Sequence, residues 1–357
     1  MNIGIITFHC AHNYGAVLQA YSSKTFLESL GHTVYFIDYR PNFLTDKYKI
    51  YNWERYISLS PTRMVAKLKN EIPIHKERVR KYLHFESFIN DILLDKGRKA
   101  CHTKKDYQKL DILFLGSDQI WNTKLSLGIK PFYFGDIGID LPIMVYAASL
   151  EDSIEPSLIE YMKKRLPKMK SLSVREPNLS FLLKDKVNIQ TEIVVDPTLL
   201  LSHKDWEKLS VPVSIPQQYV LMYYFGYNPE VFYQAEKFAI AHGCTLKIIS
   251  VGVYNDNRYI NVVSPENFIW LFKNASFVLT NSYHGTIFSI INHIPFYTEL
   301  KSGKNYRIKH LCMVTGYSDR IIKCFTSDME WRSLPEHSKR LEECIKQSKQ
   351  FIINSLK

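Results

Sequence analysis

The sequence lacks several features that would place it in a class at once. Its six cysteines are scattered with no C-x-x-C pair, which argues against a zinc site or a disulfide framework and predicts a reducing compartment. The pattern G-x-G-x-x-G is absent, so there is no dinucleotide fingerprint. No apolar run approaches the roughly 18 residues of a membrane span, and residues 1–8 lack the basic stretch of a signal peptide. We therefore expect a cytoplasmic protein.

Positive charge is abundant and concentrated in one segment. The 357 residues carry a net charge of +11, and 46% of them are hydrophobic, enough for two ordinary cores. Between Lys47 and Lys105 there are fifteen Lys or Arg against six Asp or Glu, a net +9. Such a segment, with Lys76, Arg78 and Lys81 among aromatic residues, suits an anionic membrane surface or a phosphorylated lipid-linked substrate. A solvated helical face is the alternative, and no nucleic-acid-binding module is visible.

The first half of the chain alternates apolar runs with helical patterns. Ile3–Phe8 predicts a strand, Tyr14–Leu30 a helix capped by Asn13 and ended by Gly31, and Thr33–Tyr39 the next strand. Continuous apolar runs of this kind indicate a parallel sheet covered on both faces. Further strands are predicted at Ile112–Leu115, Ile143–Ala147, Ser171–Val174 and Glu192–Val195.

A second alternating series follows the Pro-containing stretch Ser202–Gln217, the predicted linker. The fold class is therefore α/β, with two Rossmann-like domains facing each other across a cleft. We predict an N-terminal domain over 1–205 with a basic helical insert at 45–105, a C-terminal domain over 206–330, and a helix in 331–357 that packs back on the first domain. The strands of the second series are Tyr219–Tyr224, Thr245–Val251 and Phe277–Thr280, and its helices are Pro229–His242 and Pro265–Lys273.

The most informative stretch is Val278–Thr298, where a buried strand passes through a polar turn into a helix. Asn281, Ser282 and His284 lie in this turn, just before the helix N-terminus, whose N–H groups attract anions. Gly285 permits a ligand to approach the backbone closely. The local pattern predicts an anion pocket with a titratable group at its mouth.

Six segments occur in a fixed order along the chain: Asn13–Tyr21 (NYGAVLQAY), Gly116–Asn122 (GSDQIWN), Tyr146–Ser149 (YAAS), Ser173–Glu176 (SVRE), Val195–Leu199 (VDPTL) and Thr280–Thr286 (TNSYHGT). Together they closely resemble the polysaccharide pyruvyl transferase family, from about residue 3 to about residue 325, apart from the basic insert. The resemblance implies a fold like that of GT-B glycosyltransferases. It also implies transfer of a pyruvyl group from phosphoenolpyruvate to a sugar of a surface or capsular polysaccharide precursor, as a cyclic ketal.

The resemblance assigns roles to basic residues. Arg175 matches the family's Arg-acid motif and is assigned to the phosphate or carboxylate of the donor, although pairing with Glu176 would also explain it. His284 is assigned to phosphate binding and to acid–base work, since imidazole titrates in the required range. Ser282, Gly285 and Thr286 would complete the anion cradle. Lys304 or Arg307 is the candidate second clamp on the donor, with an exposed loop charge as the alternative.

The first domain contributes the remaining candidates. Asn13, Tyr14 and Gly15 are assigned to substrate contact, although Asn13 is equally an ordinary helix N-cap. Asp118 is a plausible base toward a sugar hydroxyl, or else a turn cap, and Ser117 is assigned to the substrate site beside it.

Two other functions stay open from the sequence: a glycosyltransferase that uses a nucleotide sugar, and a noncatalytic sugar-binding protein. We expect no cofactor and no metal, with phosphoenolpyruvate as donor substrate. The expected partner is a sugar acceptor, which a lipid could carry. Contact of the basic insert with the inner face of a membrane is a further hypothesis.

Overall fold

The structure is a computed structural model that describes residues 1–50, 59–60, 62–64, 69, 71–150, 154–215, 218–300, 306–335 and 339–357. Within these residues the chain forms two parallel sheets covered by helices. This confirms the predicted α/β class with two Rossmann-like, GT-B-like halves. The boundaries drawn at 205 and 330 stay a prediction.

The first sheet has seven strands in the order β3-β2-β1-β4-β5-β6-β7. Ile3 of the first strand lies opposite Val34 on one side and Ile112 on the other. Every residue of Ile112–Leu115 and Ile143–Ala148 is buried, which explains why these strands are continuous apolar runs. The strands are β1 Asn2–Ile6, β2 Thr33–Ile37, β3 Ala100–Cys101, β4 Ile112–Leu115, β5 Ile143–Ala148, β6 Ser171–Val174 and β7 Glu192–Ile193.

The second sheet has five parallel strands in the order β12-β11-β10-β8-β9. Its middle strand, β10, ends at Thr280, immediately before the turn that carries His284. The strands are β8 Tyr219–Tyr223, β9 Thr245–Ile249, β10 Phe277–Thr280, β11 Phe296–Glu299 and β12 Ile321–Ile322.

Helices connect the strands and cover both sheets. Asn13 caps the first helix as predicted, its side chain accepting a hydrogen bond from the backbone N–H of Ala16 at 3.3 Å. The α-helices in the described residues are Tyr14–Ser29, Asn42–Thr45, His75–Ser87, Lys104–Tyr107, Thr123–Ser126, Pro156–Arg165, Pro177–Leu182, His203–Leu209, Pro229–Ala241, Pro265–Lys273, Tyr283–Ile291, Tyr306–Thr315 and Lys339–Ser355.

The last strand of the first sheet is shorter than predicted. It covers Glu192–Ile193, and both residues are exposed because they lie at the sheet edge. Val194 still donates a backbone hydrogen bond to Val174, at 3.0 Å. The next residue, Val195, donates instead to the hydroxyl of Ser348 in the final helix, at 2.9 Å. The hydroxyl of Ser348 therefore accepts the backbone hydrogen bond that a neighbouring strand would otherwise accept.

The two halves are in direct contact. The ring of Tyr14, on the first helix, stacks on Phe268 of the second half with centroids 4.5 Å apart. The Tyr14 hydroxyl donates to the carbonyl of Val263 at 3.1 Å. Tyr14 is fully buried by these contacts, so its side chain joins the halves.

One residue of the basic segment is not on a solvated face. Lys81 lies on the helix His75–Ser87, here called the insert helix, and is only 6% exposed. Its ammonium donates to the carbonyls of Ser250 and Gly252 in the second half. Lys81 is therefore unavailable to a membrane surface.

In the described part of the chain, no helix is both long and apolar enough to cross a bilayer.

Candidate active site

A cavity of about 250 Å³, here called the narrow cavity, lies where the carboxyl ends of the two sheets meet. Residues that follow β1 and β4 form one wall, and residues that follow β8 and β10 form the other. Strand exits from both halves therefore converge on one space, as open α/β sheets require. Among the described residues the lining is Phe8, Ala11, Asn13, Ala16, Leu44, Lys47, Tyr48, Asp118, Gln119, Leu125, Phe225, Ser282, Tyr283, His284 and Arg307.

The turn after β10 is held by its own side chains. Ser282 caps the helix Tyr283–Ile291 by accepting the N–H of Gly285 at 3.3 Å. The hydroxyl of Thr280 donates to the carbonyl of Tyr223 at 2.6 Å. A Cβ on Gly285 would lie 2.3 Å from that hydroxyl oxygen, so only glycine fits this position. The sequence places His284 on a rigid helix N-terminus for these reasons.

Gly15 lets the first helix approach His284 closely. A Cβ at position 15 would lie 2.1 Å from His284 Nδ1. The imidazole is 8% exposed and packs against a helix of the other half. Gly15 therefore makes room for His284, a contact that sets the orientation of the ring.

Arg175 is buried in an ion-pair cluster at the exit of β6. Its Nη1 donates to Asp196 Oδ2 at 2.5 Å, and its Nε donates to Glu176 Oε1 at 3.4 Å. Its guanidinium lies over the ring of Tyr283, 4.7 Å from the centroid. The pairing with Glu176 that the sequence left open is therefore present. Arg175 is not among the described residues that line the narrow cavity, and its contact with a donor stays a prediction.

Asp196 connects Arg175 to His284. Its Oδ2 lies 3.6 Å from His284 Nε2 as well as against the guanidinium. Burial alone would raise the pKa of this carboxyl. The nearby His284 ring, Arg175 and the Thr198 N–H outweigh burial and hold the pKa well below its ordinary value. Asp196 is therefore a buried carboxylate that orients a cation and an imidazole.

The sequence alone could not decide whether Lys304 or Arg307 approaches the site. In the structure, Arg307 lines the narrow cavity. With its amide oxygen facing the guanidinium, Gln119 accepts from Arg307 Nη2 at 2.7 Å. Glu176 Oε1 lies 3.9 Å from Arg307 Nε. Burial and the charge of Arg175 lower the pKa of Arg307. Lys304 lies outside the described residues.

Buried polar atoms without a hydrogen-bond partner mark where a ligand fits. Among the described residues, Arg175 Nη2, His284 Nε2 and Glu176 Oε2 have none. Two of these three atoms are nitrogens on groups that bind anions, and burying an unsatisfied donor costs about 1–3 kcal/mol. The cluster therefore has unused capacity for a small anion.

The remaining predicted site residues divide into two groups. Asp118 and Asn13 line the narrow cavity, and Asp118 Oδ1 accepts the N–H of Gln119 at 2.8 Å. Ser117 and Thr286 are fully buried in structural hydrogen bonds, to the carbonyls of Ala147 and Ser282, each at 3.0 Å. Three more predicted residues, Ser282, His284 and Arg307, line this cavity. In the described part of the chain no other predicted site residue does so.

Sequence reasoning missed Gln119, Tyr283 and the bridging role of Asp196. All three lie inside the motifs named above, directly beside Asp118, His284 and Pro197. That position in the sequence was the signal that could have identified them. Lys47 and Tyr48 of the cavity wall had no such signal, because they come from the basic segment. In the described part of the chain, no group of three or more His, Cys, Asp or Glu is placed to hold a metal ion.

Solved structures with a similar course of the chain include two epimerases and a rhamnosyltransferase. The UDP-GlcNAc 2-epimerase of Methanocaldococcus jannaschii is 12% identical, with 100% of this chain and 99% of that chain covered and a TM-score of 0.49. The epimerase of Neisseria meningitidis, bound to UDP-GlcNAc, is 8% identical, with 100% and 99% covered and a TM-score of 0.45. A spinosyn rhamnosyltransferase is 11% identical, with 100% and 91% covered and a TM-score of 0.39.

The search of curated proteins found no match. The family model for polysaccharide pyruvyl transferase matches residues 13–298, from the cap of the first helix to the end of the His284 region. The match covers most of the segments that line the narrow cavity, including Asp118 and His284, and it also covers Arg175. The chain therefore belongs to the polysaccharide pyruvyl transferase family and is a transferase enzyme.

Proposed function

We propose that this enzyme transfers the pyruvyl group of phosphoenolpyruvate to a sugar of a surface or capsular polysaccharide precursor, as a cyclic ketal. The observation that carries the proposal is the cationic wall of the narrow cavity. There, Arg307 and His284 line a space of about 250 Å³, and Asp196 joins His284 to Arg175, whose Nη2 has no hydrogen-bond partner. Phosphoenolpyruvate carries a phosphate and a carboxylate close together, and such a ligand requires several cationic donors at short range.

Two groups hold the donor in this proposal. Arg307 presents a guanidinium fork, which suits the planar carboxylate or the phosphate, while Gln119 orients it. His284 donates to the phosphate from the N-terminus of its helix, where the helix dipole adds positive potential. Arg175 acts chiefly through Asp196, which fixes the imidazole of His284.

The reaction balances with proton transfers alone. A proton adds to the methylene carbon of phosphoenolpyruvate, and a sugar hydroxyl attacks C2 as it loses its own proton. The C2–O bond to phosphate then breaks, phosphate leaves, and a second sugar hydroxyl closes the ketal with loss of another proton. Protonated His284, acting as a general acid, can supply the first proton. Asp118, on the same wall, is a candidate acceptor for a hydroxyl proton.

The carrier of the acceptor sugar belongs to the proposal as well. A lipid-linked sugar would bring this enzyme to the inner face of a membrane, where the positive charge of residues 47–105 favours anionic lipid. Cosedimentation with anionic liposomes at low salt tests this part, and its absence would leave a free or nucleotide-linked acceptor.

The donor is tested by following phosphate release from phosphoenolpyruvate in the presence of p-nitrophenyl galactosides, mannosides and N-acetylglucosaminides. The wild type should release phosphate and yield a product heavier by one pyruvyl group. His284→Ala should lower kcat about 10²–10⁴-fold. His293→Asn is the matched control, because His293 is exposed at the far end of the same helix and asparagine tolerates its φ of 54°.

Two results would contradict the proposal. One is failure of phosphoenolpyruvate to bind in calorimetry together with no phosphate release. The other is turnover of a nucleotide sugar by the wild type, which would support the glycosyltransferase alternative instead.

A further inference from the structure

A second cavity of about 450 Å³, here called the wide cavity, adjoins the narrow cavity. The two share four lining residues, Asn13, Lys47, Tyr48 and Phe225, so they meet at a common wall. The rest of the wide cavity comes from the insert helix and from the loop after β9. Its other described lining residues are His12, Ile50, Arg78, Lys81, Tyr82, Phe85, Val251, Gly252 and Val253.

His12 is held rigidly in this wall. Its ring stacks on Phe85 at 5.2 Å between centroids with an interplanar angle of 8°, and on Tyr48 at 5.2 Å with an angle of 23°. Tyr82 packs against it at 4.7 Å. His12 lines the wide cavity, and the next residue, Asn13, lines both cavities.

Glu86 orients this imidazole. Glu86 Oε1 lies 2.8 Å from His12 Nε2, and Glu86 Oε2 accepts from Arg40 Nη1 at 3.2 Å. Burial alone would raise the pKa of Glu86, but the hydrogen bond from His12 and the charge of Arg40 lower it below its ordinary value. A carboxylate only accepts, so Nε2 carries the hydrogen and Nδ1 of the neutral ring keeps its lone pair.

We propose, resting on the function proposed above, that the wide cavity binds the acceptor sugar and that His12 Nδ1 removes the proton from the attacking hydroxyl. Glu86 is the positioning residue. As the hydroxyl oxygen bonds to C2 of the donor, its hydrogen passes to His12. The departing phosphate or solvent takes the hydrogen from His12 before the second hydroxyl closes the ring, so no other reactant is needed.

The chemistry of the wide cavity fits a sugar better than a second small anion. Tyr82 and Phe225 supply aromatic surface for the apolar side of a pyranose, and Arg78 supplies a donor for its hydroxyls. Arg78 is partly neutralised by Glu71, whose carboxylate lies 3.2 Å from its Nη1. His12 and Asp118 are therefore rival bases at adjoining positions, and they can be separated by mutation.

His12→Ala tests the inference with phosphoenolpyruvate and the same p-nitrophenyl glycosides. We expect kcat to fall about 10²-fold or more while calorimetric binding of phosphoenolpyruvate is unchanged, because His12 is outside the narrow cavity. Millimolar imidazole should restore part of the lost kcat, which a purely structural role would not allow. Glu86→Gln should lower kcat less and preserve the acceptor KM, and it guards against misfolding of the alanine variant.

His9→Gln is the matched control. His9 makes a similar carboxylate contact, with Nε2 2.9 Å from Asp38, but is fully buried and lines neither cavity. Imidazole should not raise the activity of that variant.

Wild-type kcat in His12→Ala, or a loss in that variant that imidazole fails to restore, would overturn the role of His12. A larger kcat loss in Asp118→Asn than in His12→Ala would also overturn it and favour Asp118. If the wild type neither binds phosphoenolpyruvate nor releases its phosphate, the proposed function and this inference fall together. Intact donor binding with failure confined to His12 overturns the inference alone.

Discussion

The narrow and wide cavities share a wall but are built in different ways. The narrow cavity is formed largely by turns that directly follow parallel strands, and its Arg307 lies 3.9 Å from the buried carboxylate of Glu176, which also pairs with Arg175. The wide cavity depends on the insert helix, whose buried Lys81 donates to the backbone carbonyls of Ser250 and Gly252. A strand-exit site is thus positioned by the sheet itself, whereas the adjoining site depends on how a separate helix docks.

This difference suits a division between donor and acceptor. Under the proposed function, the anion-binding turn holds the donor and the cavity beside the insert helix holds the acceptor. A cavity built from an insert can change its walls without disturbing the sheets. Mutations that act on one cavity but not the other measure how far this separation holds.

The largest effect is expected from removing the charge that organises the narrow cavity. Asp196→Asn leaves Arg175 buried beside an amide, and breaking a buried pair in this way costs about 3–5 kcal/mol in the free energy of unfolding. Because the folded-state pKa of Asp196 is lowered, its contribution is present above about pH 4 and is lost as pH falls further. The stability gap between wild type and variant should therefore narrow below about pH 4 in urea titrations.

The control for this prediction is Asp95→Asn. Asp95 pairs with Arg98 at 2.6 Å on the surface, where ion pairs contribute little because solvent screens them. A stability loss as large in Asp95→Asn as in Asp196→Asn would show that burial of the pair is not the cause.

A smaller effect is expected from disturbing the orientation of His284. In Gly15→Ala the new methyl would lie 2.1 Å from His284 Nδ1, so the ring or the helix must shift. A displacement of about 1 Å in a catalytic group can cost about 10²-fold in rate. We expect a loss of that order in phosphate release from phosphoenolpyruvate, measured under saturating donor.

Gly31→Ala separates this effect from instability. A Cβ at Gly31 meets no atom within 4 Å, but the residue has a φ of +85°, so the substitution strains the backbone without touching His284. Equal activity losses in the two variants would contradict a specific role for Gly15.

The smallest effect at neutral pH is expected in the wide cavity. Burial lowers the pKa of Lys81 to about 7, so between about pH 7 and its ordinary value of 10.5 the unfolded chain binds a proton that the folded chain does not. The stability of the wild type relative to Lys81→Met should rise through this window, by at most about 1.4 kcal/mol per pH unit. Urea unfolding at several pH values measures the trend.

Lys76→Met removes an exposed lysine from the same helix and controls for the loss of one positive charge. Donor binding in the narrow cavity should be the same in both variants. A stability difference between the wild type and Lys81→Met that falls with rising pH would contradict the burial of the lysine.

Much of the fold was predictable because hydrophobic periodicity and the turn residues that end a strand or helix are properties of short segments. The runs Ile112–Leu115 and Phe277–Thr280 predicted buried parallel strands, and both are strands with those bounds. Glu192–Val195 was harder, since nothing local shows that Val195 pairs with a helix at the far end of the chain. The placement of His284 at a helix N-terminus followed from the turn, whereas the pairing of Arg175 with Asp196 required two distant strand exits to be brought together.

The sequence by itself determined the alternation of strands and helices, the anion-binding turn at Ser282–Gly285 and the family, because these depend on short-range pattern and motif order. Tertiary structure alone decided that Gly15 abuts His284, that Arg307 enters the cavity wall and that Lys81 is buried. It also placed His12 beside Glu86, 74 residues away along the chain, in a cavity of its own. Such contacts depend on how two sheets and an insert helix pack, and no local pattern encodes the distance between segments that folding brings together.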